Sequence, residues 1–266
     1  MATNNYARGF SEDVDIEIQT SDGKISLERS AFMFFGPPKI GKTNLASGWP
    51  NAVFLVTSEK EVKRLKVPYI LVNSHKRLVA AVDYLIENRK KLPYRTVVFD
   101  FVDAMYTNAE MYICKKLKIE HQSEAGYGKG VGMIDNEFKK VMNKIIGSAY
   151  GCIFISHMQI KDVNTMNGVV TKTISTLPDR ARRIIIPLVS VIGCIDFKEV
   201  KTKDPETGKL IRKQKRMISF EPSEYLEAGD RDGFLPKELY CFADPKKTYA
   251  LIADYYSGRK KKGKDE

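Results

Sequence analysis

The sequence predicts an α/β fold: a mostly parallel sheet flanked by helices, with a C-terminal antiparallel hairpin. Three observations predict it. Short apolar runs of strand length alternate with stretches of helical periodicity from residue 31 to residue 200, as in a sheet covered on both faces. The first run, AFMFFG (31–36), leads directly into a glycine-bounded loop and a helix. Near the C-terminus, the turn sequence DPETGK (204–209) separates two strand-like runs.

Each element follows from local chemistry. In residues 1–30, alternating apolar positions around an SDGK turn read as a small hairpin. AVFLVTSE (52–59) is the second buried strand, and VPYILV (67–72) a third, at an edge. Residues 75–92 have helical spacing, with Leu78, Val79, Val82, Leu85 and Ile86 on one face. YRTVVFDFVDAM (94–105) is a buried strand that ends in acid, and AMYTNAEMYICKKLKI continues as a helix. A Gly-rich loop (124–132) precedes an amphipathic helix (133–149) and a strand (151–161). Residues 179–200 read as a short helix running into a strand. The expected organisation is an N-terminal hairpin or extension (1–30), an α/β core (31–200), a β-rich extension of it (201–256) and a basic, disordered tail (257–266).

Bulk properties narrow the function. The 266-residue chain carries a net charge of +11, which favours a polyanionic partner, most often nucleic acid. No run of about eighteen apolar residues is present, so a membrane span is not expected. The first residues lack an apolar signal segment. Cys114, Cys152, Cys194 and Cys241 are scattered and form no CxxC pair, which fits reduced thiols in the cytoplasm. Three dispersed histidines offer no zinc-ligand spacing.

The loop after the first strand carries the chemistry. Gly36-Pro37-Pro38-Lys39-Ile40-Gly41-Lys42-Thr43 fits G-x-x-x-x-G-K-[ST] between a strand and a helix. Glycines let the backbone curl so that its N–H groups point at phosphates. The expected ATP contacts run from Gly36 through Asn44, with Lys42 on the β- and γ-phosphates and Thr43 on Mg²⁺. TVVFD places Asp100 at the end of a strand beside this loop as the second metal group, with Asp103 its weaker competitor. AAA+-type ATPases usually place a Glu directly after this Asp, but Phe101 stands there. The strand that follows the loop helix ends in Glu59, which is expected to polarise the attacking water, with Glu61 as the alternative. His157, at the end of CIFISHMQ, is expected to sense the γ-phosphate.

That order of motifs resembles the RecA-like P-loop NTPase core, with His157 in place of the family's glutamine sensor. It is most similar to the phage Sak-type group of single-strand annealing and recombination ATPases, over about residues 30–240. The segments LPDRARRIIIPLVSVIGCI and DRDGFLP (230–236) carry the closer similarity. Such proteins often have an acid within the PLV-x-V segment, where this chain has Ser190. The resemblance implies an ATPase acting on single-stranded DNA in phage recombination, replication or repair, in the host cytoplasm. It implies head-to-tail assembly as a ring or filament, with a cation from the neighbouring subunit drawn from Lys172, Arg180, Arg182 or Arg183. It also implies DNA contact from the loops 121–132 and 161–173, where Tyr127 would stack a base and Lys129 and Lys172 would meet phosphates. Arg212 and Lys213, in the basic terminal hairpin, are further DNA candidates. A single-strand-binding protein, or another recombination or replication protein, is a possible partner. The alternatives are an ATP-switched loader or adaptor that recruits a helicase or single-strand-binding protein and, more remotely, a nucleotide kinase.

Overall fold

A computed structural model describes residues 25–126, 128–166, 168–203 and 209–261. Most of the expected N-terminal hairpin, Tyr127, most of the 204–209 turn and the end of the basic tail lie outside the described residues. In chain order the elements are β1 (Ala31–Gly36), α1 (Lys42–Ala46), β2 (Ala52–Val56), β3 (Tyr69–Leu71), α2 (His75–Glu87), β4 (Thr96–Asp100), α3 (Val102–Leu117), α4 (Lys129–Ile146), β5 (Gly151–Thr165), β6 (Gly168–Ser175), α5 (Asp179–Ile185), β7 (Val191–Lys203), β8 (Leu210–Ser219), β9 (Gly229–Asp230), β10 (Glu238–Tyr240) and α6 (Pro245–Tyr256).

The sheet runs β10-β8-β7-β1-β5-β4-β2-β3, with β6 paired to β5 and β9 to β7. From β7 to β3 the strands are parallel. The pairs β7–β8, β8–β10, β7–β9 and β5–β6 are antiparallel. This is the predicted mixed sheet, flanked by helices, with antiparallel strands at its C-terminal side. The strands β1, β2 and β4 are buried along their whole lengths because helices cover both faces. Alternate side chains divide the core into two layers. Met33, Leu55, Phe99 and Phe154 meet α2, α3 and α4. Phe32, Phe34, Phe54 and Ile153 face the side of α1 and α6, where Trp49 and Ile252 pack.

Several segments differ from expectation. Helix α2 stops at Glu87 rather than 92, with Asn88 as its C-cap. Helix α4 starts at Lys129, so the expected Gly-rich loop is half helix, preceded by the 3₁₀ turn Gln122–Ala125. The other expected DNA loop, 161–173, is a β-hairpin instead, with Met158–Thr165 paired to Gly168–Ser175. An Asn-Gly turn signal at 167–168 between β-branched residues accounts for it. The C-terminal region also ends in a helix, α6, that was not expected. Asp244 caps it, accepting a hydrogen bond from the Lys246 N–H, and Pro245 occupies its first turn. Tyr249 of α6 meets Trp49 edge-on at 5.3 Å. The four cysteines are buried, unpaired thiols. No helix among the described residues is long and apolar enough to cross a membrane.

A Cβ on Gly48 would overlap the Pro245 carbonyl, so this glycine lets α6 dock on the α1 side. Gly48→Ala should therefore destabilise the protein by about 1–3 kcal/mol through overpacking. Urea unfolding should show a lower midpoint; an unchanged midpoint would contradict the docking.

Candidate nucleotide-binding site

The loop between β1 and α1 is shaped by backbone constraints. Lys39 and Gly41 have left-handed backbone, with φ of 65° and 97°. Gly41 also leaves room for the Arg216 guanidinium, and Gly36 for the Ile195 carbonyl of β7. Arg216 comes from β8 and donates Nη1 to the Ile40 carbonyl at 3.0 Å and Nε to Cys241 O at 3.3 Å. Within the loop, Pro37 is half-buried, Pro38 and Lys39 are exposed, and Ile40 is buried. The Asn44 amide donates to Ala243 O at 3.2 Å, which ties α1 to the segment before α6.

Lys42 lies buried beneath the loop. Its Nζ donates to the Gly36 and Pro37 carbonyls at 2.8 and 2.9 Å and lies 3.2 Å from His157 Nδ1. An ammonium can only donate, so Nδ1 accepts and the ring proton sits on Nε2. Burial pushes the Lys42 pKa down to about 8, against the pull of Asp100 and Asp103. Burial and the Lys42 charge lower the His157 pKa as well, with Asp103 opposing. The register Gly36↔His157 brings these two residues side by side. The Phe101 ring lies 4.3 Å from the imidazole centroid.

Asp100 is fully buried at the end of β4, and β5 stands between β4 and β1. Neither of its oxygens has a hydrogen-bond partner among the described residues. The Thr43 side chain stands close enough to the carboxylate to favour its charged form. Burial raises the Asp100 pKa to about 6, although Thr43 and Lys42 draw it the other way. A buried, unpartnered carboxylate beside a hydroxyl is a hard-oxygen donor set suited to Mg²⁺. Among the described residues no cluster of three His, Cys, Asp or Glu could hold a metal alone. A cation at this point would also draw ligands from the phosphates. Asp103 is engaged through one oxygen only, its Oδ2 being buried without a partner among the described residues. Its Oδ1 accepts from Ser156 Oγ at 2.9 Å and Thr176 Oγ1 at 2.7 Å.

The two candidate glutamates are separated by geometry. A 3₁₀ turn, Glu59–Glu61, follows β2 and starts after Ser58. Glu59 is exposed and turned toward the edge, where its charge raises the pKa of the Tyr69 hydroxyl. Glu61 faces inward: Oε1 accepts from Thr57 Oγ1 at 3.4 Å, and Oε2 is buried without a partner. Burial, then the Asp100 charge, push its pKa up to about 7. The electrostatic contact with Asp100 therefore falls to Glu61, while Glu59 is exposed beside Tyr69.

The remaining cations scatter. Arg180 pairs with Asp135 at 3.0 Å, and Arg182 pairs with Glu227 and Asp179. Arg183 is exposed and makes no ion pair among the described residues. Lys129 is the exposed first residue of α4. Lys172 stands opposite Lys161 on the β5–β6 hairpin. Arg212 and Lys213 are successive residues of β8 and so point to opposite faces; Arg212 pairs with Glu199 at 3.2 Å. Sequence reasoning missed the contact of Arg216 with the loop, because Arg216 reads there as one more charge on an edge strand. The one available signal was its place two residues before the buried Ile218.

A family model described as an AAA domain (AAA_24) matches residues 29–232. The chain belongs to this AAA-domain family. Its members are P-loop ATPases, and here Phe101 occupies the position after Asp100 that holds a Glu in AAA+-type enzymes. The SPbeta prophage-derived uncharacterized protein YorG of Bacillus subtilis (strain 168) is 27% identical over 135 residues, which is 49% of this chain. The match spans 42% of that relative's length. Among solved structures, the KaiC-like protein PH0186 from Pyrococcus horikoshii OT3 aligns with a TM-score of 0.40 at 12% identity, covering 72% of this chain and 79% of that one.

The raised Asp100 pKa has a consequence for stability. The folded state holds its proton more tightly than the unfolded chain does, so stability falls as pH rises from the ordinary carboxylate range through about 6. Asp100→Asn removes a penalty on the order of 3 kcal/mol at neutral pH. The nucleotide-free variant should melt at a higher temperature than the natural protein. An equal or lower Tm would show that Asp100 has a partner.

Proposed function

We propose that the protein binds ATP with Mg²⁺ through residues 36–44 and hydrolyses it, and that the polymer it acts on is single-stranded DNA. The observation that carries this reading is the gathering of Lys42, Thr43, Asp100, Glu61 and His157 where β1, β2, β4 and β5 end. Lys42 would exchange its loop carbonyls for the β- and γ-phosphates. Thr43 and Asp100 would hold Mg²⁺, which supplies neutralisation of the phosphate charge when bound. Glu61, with a pKa near that of the medium, would orient the water and accept its proton. His157 would register the γ-phosphate as Lys42 shifts away from its Nδ1.

The DNA part of this reading rests on charge placed against local stability. The strands on either side of β1 each extend past the site as a hairpin, β5–β6 and β7–β8. Cross-strand partners Lys161–Lys172, Lys198–Lys215 and Lys201–Arg212 carry like charges. Directly opposed like charges destabilise a hairpin. Asp179, Glu238 and Glu199 each neutralise one member of a pair, which leaves Lys172, Lys215 and Lys201 for a polyanion. Lys129, exposed at the start of α4, would add a phosphate contact. Assembly as a ring or filament would place Arg183 as the cation offered to a neighbour's nucleotide. The Sak-type resemblance and the prophage-derived relative favour a phage role in recombination, replication or repair, in the host cytoplasm, where a single-strand-binding protein would be a natural partner.

A switched loader or adaptor is the second reading. It draws on the link from Ser156 through Asp103 to Thr176, which would pass the state of the site to β6 and α5.

Steady-state ATP hydrolysis with and without an oligothymidylate separates the two readings. Stimulated multiple turnover, lost in Lys42→Ala, is the expected result; ATP binding without stimulated turnover would favour the adaptor. Glu61→Gln should bind ATP but lose about 10²- to 10⁴-fold in kcat. Glu59→Gln should keep near-natural kcat; the reverse pattern would return the role to Glu59. Strand affinity should fall steeply with added salt, since phosphate contacts release counterions.

A further inference from the structure

A second cleft lies on the far side of the sheet. The segment after β3 turns into α2, and a cleft of about 480 Å³ opens between the start of α2 and α3. Its working groups are His75, Lys76, Asn108, Tyr112, Lys115 and Lys116. His75 is 1% exposed, yet it lines this cleft. Its Nε2 lies 3.8 Å from Glu137 Oε2, too far for a hydrogen bond, and neither ring nitrogen closes one among the described residues.

The surroundings define what would pair with it. Helix α2 has thirteen residues, and its cap, Ser74 Oγ, accepts the Arg77 N–H at 3.4 Å. The N–H groups of His75 and Lys76, the first two of the helix, have no acceptor among the described residues. They present the positive end of the helix dipole. Lys76, Lys115 and Lys116 form no ion pair among the described residues. The Tyr112 ring packs against His75 at 5.2 Å, and Lys76 Nζ lies 6.0 Å from its centroid.

We propose that this cleft binds the phosphate of a nucleotide unit, with the base lying along Tyr112 and its edge toward Asn108. The volume falls in the range of small-molecule sites. An aromatic ring beside lysines suits a base joined to its phosphate better than a bare anion. The site is separate from the ATP loop: β3 and β1 are four strand spacings apart, roughly 19 Å. It also lies on the face of α2 and α3, opposite α1. The proposal stands independently of ATP hydrolysis.

The three histidines make the test direct. The full chain carrying Lys42→Ala and ¹⁵N-labelled histidine is titrated with AMP, pentathymidylate or inorganic phosphate. The His75 ring resonances should shift saturably with AMP, pentathymidylate or both, and with AMP the resonances of His121 and His157 should stay in place. A response to AMP alone identifies a free nucleotide, and a response to the oligomer alone identifies a strand. Adding Lys76→Ala and Lys115→Ala, both at the surface, should weaken binding about tenfold or more, with unchanged His157 resonances showing an intact fold. A response to inorganic phosphate only, no response of His75, or an affinity indifferent to the two lysines would overturn the proposal.

Discussion

Two opposite charges buried at one end of an apolar sheet are the constraint on which the rest depends. Lys42 is removed from water and kept charged by two loop carbonyls, one histidine nitrogen, the Phe101 ring 5.7 Å away and the field of Asp100 and Asp103. Asp100 is buried more completely, and neither of its oxygens closes a hydrogen bond among the described residues, with the Thr43 side chain beside it. Such an arrangement is expensive for a resting protein, and it becomes favourable when phosphate and a divalent cation enter between the two. The interior strands carry no other charge along their buried lengths. Their parallel alignment brings their last residues to one edge, so the polar chemistry collects there.

From that edge, two hairpins reach outward and each keeps a residue on the loop. His157 stands where β5 leaves the parallel sheet, against Lys42. Arg216 returns along β8 to the Ile40 carbonyl. Between β5 and α3, Asp103 binds Ser156 and Thr176 together. Movement of the loop on taking up phosphate would therefore be felt at the bases of both hairpins. The basic residues beyond those bases lie where a change of angle would alter contact with a polymer.

Much of this was legible in the sequence because the strongest signals are local. The loop motif, the apolar runs of β1, β2, β4 and β5, and the terminal acid of TVVFD place the sheet and the metal side of the site. What was not legible depended on short-range geometry or distant contact. The strand end favours Glu59 on paper, and only the 3₁₀ turn shows that Glu61 is the one whose charge is coupled to Asp100. Arg216 reaches the loop from 176 residues away, which no periodicity reveals. The 161–173 hairpin and α6 were missed for a different reason: the Asn-Gly turn and the Asp-Pro helix start were present, but their polar flanks concealed the pattern. Arg180 and Arg182 looked free in a basic run, and their acidic partners come from α4 and the segment before β9.

The central claim is that Asp100 is left unpaired in order to meet a metal that arrives with the nucleotide. Counting bound Mn²⁺ by electron paramagnetic resonance, with ATPγS present, tests it most directly. The account predicts that the natural protein retains Mn²⁺ with the nucleotide, and that Asp100→Asn lowers this affinity by about tenfold or more while metal-free nucleotide still binds. Equal Mn²⁺ affinity in the two proteins would contradict it, and the buried carboxylate would need another explanation.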